Sequence, residues 1–69
     1  MEYEIEVQGK LDASWSEWLE GLRPRVDEDD PRGSITTLTG PILDQSALRG
    51  ILNRLWDLNL ELVSVRRRE

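Results

Sequence analysis

LDQSALRGILNRLWDLNLELVSV, residues Leu43 to Val65, reads as a capped helix that feeds directly into a strand. Asp44 stands at the helix start, where its carboxylate can accept the orphan N–H groups of the first turn. Ala47, Leu48, Ile51, Leu52, Leu55 and Leu58 then recur at three- and four-residue spacing, an apolar stripe at the helical period. Asn59 occupies the place of a left-handed C-cap residue, and Leu60 to Val65 turns to β-prone residues. The expectation is a helix over Asp44 to Leu58 and a strand after it. Trp56 lies about 80° around the helix from Leu48, at the margin of the stripe, so it is expected to be half-exposed.

Working outward, Tyr3, Ile5 and Val7 alternate with Glu4, Glu6 and Gln8, the period-two pattern of a half-buried strand with an acidic outer face. Gly9 to Ala13 make the turn. Ser14 and Glu17 then form a capping box, and Trp15, Trp18, Leu19 and Leu22 follow at helical spacing, with Gly21 placed to end a short helix. Leu22 to Val26 reads as a second strand, held to a sheet edge by Pro24. Asp27 to Gly33, with Pro31 and Gly33, reads as a hairpin loop. Ile35 to Thr39 makes a third strand, closed by Gly40 and Pro41.

The order β-α-β-β-α-β in a single domain over residues 1–69 predicts an α+β fold. The arrangement expected is a two-layer ferredoxin-like sandwich with sheet order 4-1-3-2 and both helices on one face of a four-stranded sheet. Right-handed crossovers are expected to place strand 1 beside strand 3 in parallel, with strand 4 antiparallel on the other side of strand 1. On the uncovered sheet face Glu4 and Glu6 are expected across from Arg66 or Arg68. The last strand is ambiguous. Leu60 and Leu62 fall on one face and Val63 and Val65 on the other, so either the register slips or a second chain covers the second face.

Sixty-nine residues without cysteine or histidine have no disulfide staple and almost no means of building a zinc site. A domain this small buries only ~60% of the surface its unfolded chain exposes, and self-association is the remaining common way to add buried area. A formal charge of −5 argues against non-specific binding to nucleic acid or anionic membrane. The lack of cysteine fits a cytoplasmic protein, and no apolar run or signal-peptide pattern points to a membrane. Arginine supplies eight of the nine basic residues. That bias suits bidentate carboxylate pairing and equally matches the compositional drift of some genomes.

Val7-Gln8-Gly9-Lys10-Leu11-Asp12-Ala13-Ser14-Trp15-Ser16-Glu17-Trp18, Leu38 to Leu48 with its Gly-Pro-x-x-Asp-Gln segment, and Asp57 to Val65 together resemble a family of short, uncharacterised prokaryotic proteins. The resemblance covers nearly the whole chain and implies domain bounds, without an assigned activity. The chain departs from that pattern at Asn59, where glycine is common, at Trp56, where a polar residue is usual, and in the acidic loop Asp27 to Arg32. Similarity to ligand-binding ACT domains is limited to element order, since the Asp-x-Pro-Gly-x-Leu signature after the first strand is missing.

Trp15 and Trp18 are read as core, because a small domain without phenylalanine needs large apolar side chains. Asp27, Glu28, Asp29 and Asp30 lack the spacing, glycine and distal Glu of a calcium loop, so they are read as a solvated hairpin tip. Arg66, Arg67 and Arg68 lack aromatic interleaving or a neighbouring basic patch, which favours a frayed tail or pairing with Glu4 and Glu6 over phosphate contact. Glu17 and Asp44, the carboxylates nearest glycine-containing turns, already have capping roles, and no serine has a histidine to activate it. No catalytic constellation, cofactor or metal site follows.

The functional expectation is a small non-catalytic interaction or regulatory module. It is expected to form a homodimer through Trp56, Leu60, Leu62 and Arg66, or to hold an unidentified protein partner, and to bind neither nucleic acid nor membrane. The alternative is an ACT-like module with a small ligand at the turn of Gly9, Asp12, Ser14 and Trp15.

Overall fold

Tyr3, Ile5 and Val7 are buried and Glu4, Glu6 and Gln8 between them are half-exposed, so the period-two alternation builds the first strand, β1 (Glu2–Gln8). The computed structural model describes residues 2–11, 19 and 21–68. The expected capping box of Ser14 and Glu17, and the aromatic stripe of Trp15 and Trp18, lie outside the described residues. At the end of that segment Leu22 N–H closes a turn on the Leu19 carbonyl, with Gly21 at φ +82°. Leu19 and Leu22 are both buried in the core.

Three further strands and one helix follow among the described residues: β2 (Arg23–Asp27), β3 (Ile35–Pro41), α1 (Gln45–Asp57) and β4 (Glu61–Arg67). The strands form one sheet in the order β2-β3-β1-β4, which is the expected 4-1-3-2 order. The sheet is antiparallel throughout, and β1 runs antiparallel to β3 with Ile5 opposite Leu38. This corrects the parallel pairing expected for those strands. A crossover returns β2 in the direction of β1, the β2–β3 hairpin then reverses the chain, and a β3 inserted between them must oppose both. Pro24 stands on the edge strand, as its missing donor requires.

The ambiguity of the last strand is resolved by a register shift. Ile5 faces Val65 and Glu6 faces Ser64, but Val7 faces Leu62, so β4 carries one extra residue, Val63, at a bulge. The bulge returns Leu62 to the face of Val65, and both pack against the core with Leu60. No second chain is needed to cover the strand's other side.

α1 follows its sequence signals closely. Asp44, extended at φ −156°, accepts from the Ala47 N–H at 2.9 Å, and Asn59 takes the left-handed conformation at φ +61° just past the helix. Ile51 and Leu55 are buried against Tyr3, Ile5, Val7 and Leu38, while Ala47, Leu48, Leu52 and Leu58 are partly buried at the margins. The helix thus covers the face that β1 presents through its odd-numbered residues. The even-numbered face, carrying Glu4 and Glu6, is the open one.

Candidate functional site

Two surfaces combine functional side chains in ways local spacing does not show. The first lies along α1. Leu48, Leu52 and Trp56, four residues apart, form a ridge beside the buried stripe of Ile51 and Leu55. With Gln45, Ser46, Arg49 and Asn53 they line an open groove of about 480 Å³. Trp56 is 51% exposed and Leu43, just before the helix, 86%. This indole stands half in water, and tryptophan is enriched at contact surfaces.

The second lies on the open sheet face. Cross-strand pairing aligns Arg23, Thr39, Glu4 and Arg66 in one row, and Arg25, Thr37, Glu6 and Ser64 in the next. Arg66 hydrogen-bonds Glu4, and Arg68 approaches its second oxygen at 3.5 Å. The Arg66 hydrogen bond, with the charges of Arg66, Arg68 and Arg25, holds the Glu4 carboxyl below its ordinary pKa. The same contact raises Arg66. Ser64 donates to Glu6 at 2.8 Å. Glu4, Arg25, Thr37, Thr39 and Arg68 line a recess of about 390 Å³.

The hairpin loop between β2 and β3 is held by its own acidic residues. Asp27 accepts the Asp29 N–H at 3.0 Å and Asp30 accepts the Arg32 N–H at 2.9 Å, so both carboxylates shape the turn. Two further contacts from the Arg32 guanidinium, at 2.9 and 3.0 Å, hold the Asp30 carboxyl down to about 2. Glu28 pairs with Lys10 at 2.6 Å, and Arg32 lies 3.9 Å from Glu6. Among the described residues no group of three or more histidine, cysteine or acidic side chains is placed to hold a metal ion. Nor is any helix among them long and apolar enough to cross a membrane.

Comparison with known families matches residues 2–66 to a domain of unknown function, DUF8691. The chain belongs to this family. No curated protein and no solved structure matches it.

Within this DUF8691 domain, the residues expected at an interface are not on one patch. Trp56 lines the α1 groove. Leu60 and Leu62 pack onto the chain's own core at the β4 side. Arg66 points to the opposite sheet face, where it is engaged by Glu4. Of the expected ligand turn, Gly9 is described and Asp12, Ser14 and Trp15 lie outside the described residues. Gly9, at φ +116°, has both backbone groups used: its N–H donates to Ser34 at 2.7 Å and its carbonyl accepts the Thr36 hydroxyl at 2.6 Å. The Thr36 oxygen in turn accepts the Leu11 N–H at 3.1 Å. Thr36 read as an ordinary β-branched strand residue. No local pattern marks Arg25 either, because only the folded sheet brings it to one recess with Arg68, far along the chain.

Proposed function

We propose that this protein is a small non-catalytic interaction module that self-associates through the flank of α1. The observation that carries the reading is Trp56, half-exposed at the end of a Leu48–Leu52–Trp56 ridge that the chain's described residues leave uncovered. A second copy suits this ridge because it is self-complementary. In an antiparallel two-fold pair centred on Leu52, that residue meets its own copy and Leu48 meets the partner's Trp56. Arg49 then lies next to an indole, where its guanidinium gains a cation–π contact. Leu60 and Leu62, partly buried, retain apolar area at the sheet's β4 edge. A homodimer also answers the small core of a chain with neither disulfide nor metal.

A ferredoxin-like two-layer sandwich is the finer architecture that best accommodates the described elements. The 4-1-3-2 antiparallel order supports it. So do Leu11 and Leu19, both buried in the core on either side of the undescribed segment, where the sequence places the first helix. A small-molecule function of the ACT kind at the Gly9 turn has less support, since both Gly9 backbone groups and the Leu11 N–H already have partners.

Sedimentation velocity at micromolar concentration tests the reading. The expected mass is about twice 8.0 kDa, falling to the single-chain value in Trp56→Ser and Leu52→Glu. A parent protein that sediments as one chain at every dilution overturns it. Trp56→Ser alone removes no buried side chain, so its fold is expected to survive for the comparison.

A further inference from the structure

On the open sheet face two arginines from distant parts of the chain, Arg25 and Arg68, line one recess although the protein's overall charge is −5. Arg25 from β2 and Arg68, just past β4, line the recess with Glu4, while Arg23 and Arg66 stand in a neighbouring row and β1 contributes Glu2, Glu4 and Glu6 to the same face. Glu4 is already matched by the hydrogen bond from Arg66 and the approach of Arg68. The next carboxylate on β1, Glu6, is occupied by Ser64 and the approach of Arg32. The Arg25 side chain therefore keeps its five donors free of any ion pair or hydrogen bond among the described residues, as do the hydroxyls of Thr37 and Thr39. All three line one recess with Arg68.

From this arrangement we infer that the recess is a binding site for an oxyanion, the phosphate or carboxylate group of a small ligand, held between Arg25 and Arg68 over the hydroxyls of Thr37 and Thr39. The guanidinium groups of Arg25 on β2 and of Arg68, just past β4, offer paired N–H donors in the geometry that planar carboxylates and phosphates accept. The threonine hydroxyls, fixed on the central strand β3, supply neutral donors from below. The recess, at about 390 Å³, suits one such group with a short attachment. Glu4 has two opposed effects: it orients Arg66 and Arg68 toward the site, and its own charge weakens the hold on an anion. Arg68 can shift from Glu4 to the ligand because Arg66 remains to match the carboxylate.

The site stands apart from the α1 flank, so its test does not depend on dimer formation. Backbone amides are followed by NMR during titration with inorganic phosphate and, separately, succinate, at constant ionic strength set with chloride. The expected result is a saturable shift at Arg25, Thr37, Thr39 and Arg68, weakened at least tenfold in Arg25→Met and Arg68→Met. Lys10→Met, which removes a charge paired with Glu28 and outside the recess, leaves it unchanged, and Glu4→Gln tightens it several-fold. Saturation by phosphate only, or by succinate only, identifies the source of the anion, and saturation by both assigns recognition to charge. Shifts that stay linear with both anions overturn the proposal. So does saturation that survives Arg25→Met, because binding then lies elsewhere.

Discussion

Val7 of β1 faces Leu62 of β4, although the preceding residue, Glu6, faces Ser64, and the residue left over is Val63. A strand whose side chains alternate can place Leu62 and Val65 on one face only by inserting such an extra residue. The bulge also disturbs the outer edge of β4, which otherwise offers a run of unpaired backbone groups to another sheet. The dimer reading accordingly rests on the α1 flank and not on a doubly apolar last strand.

The bulge separates two neighbours in energy. Leu62 packs against the core while Val63 does not, so Leu62→Ala is expected to cost about 1–2 kcal/mol for a partly buried leucine. Val63→Thr should stay within about 0.5 kcal/mol of the parent. Urea denaturation of both variants measures the difference, and equal losses would mean that the register shift is misplaced.

Asp44→Ala removes the acceptor of the Ala47 N–H at the start of α1. The loss of such a cap costs about 0.5–2 kcal/mol. Asp44→Ser, which keeps an acceptor, should recover most of it in the same melt.

Gly40 pairs with Tyr3 on the covered face of β3, at φ +156°. A Cβ there would stand 2.9 Å from Leu22 Cδ2, and Leu22 is itself buried. Gly40→Ala is therefore expected to destabilise by about 1–3 kcal/mol, the range of overpacked cores. Pairing it with Leu22→Ala, which removes the obstructing atoms, should give a double variant less impaired than the sum of the two.

Asp30 contributes a pH-dependent stabilisation. Its carboxyl is held at about 2, against an ordinary 3.8, by the side-chain hydrogen bonds of Arg32 and then by the Arg32 N–H. A group whose folded pKa is depressed stabilises the fold fully above its unfolded value and loses that contribution as pH falls through the folded one. The effect thus fades between about 4 and 2. Carboxyl-resonance titration of Arg32→Met should move the Asp30 midpoint upward toward the ordinary value. An unmoved midpoint would show that the guanidinium does not hold it.

The parts of this fold that depend on period and caps are legible in the sequence. Asp44, the Ala47-to-Leu58 stripe and Asn59 place α1 to within a residue at each end, because each signal is local and chemically specific. The strand directions are not legible in this way. That β1 opposes β3 follows from counting chain reversals through the β2–β3 hairpin and not from any residue pattern. Leu60 to Val65 is ambiguous in sequence for a physical reason: apolar residues on both faces look the same whether a bulge or a second chain accounts for them. The open-face recess is not legible because Arg25 and Arg68 come to line it together only once four strands are in register. Arg66, grouped with Leu62 by proximity along the chain, faces the other side of the sheet.

Thr36 is the residue whose chemistry the strand pattern hid. It is fully buried on the covered face opposite Val7. Its hydroxyl donates to the Gly9 carbonyl at 2.6 Å and accepts the Leu11 N–H at 3.1 Å. One side chain thus satisfies two backbone groups of the turn that leaves β1. Thr36→Val preserves shape and removes both bonds, leaving a donor and an acceptor near the core without partners. Such groups cost about 1–3 kcal/mol each when water cannot reach them, so a total loss of about 2 kcal/mol or more is expected. Thr36→Ser keeps the hydroxyl and deletes one methyl, a change worth about 0.8 kcal/mol. Valine should therefore be clearly worse than serine although it is the more β-prone and apolar residue. Hydrogen exchange adds a local readout, since the Leu11 amide should lose protection in Thr36→Val and retain it in Thr36→Ser. A valine variant as stable as the parent, with Leu11 still protected, would mean that the turn is held by its backbone alone.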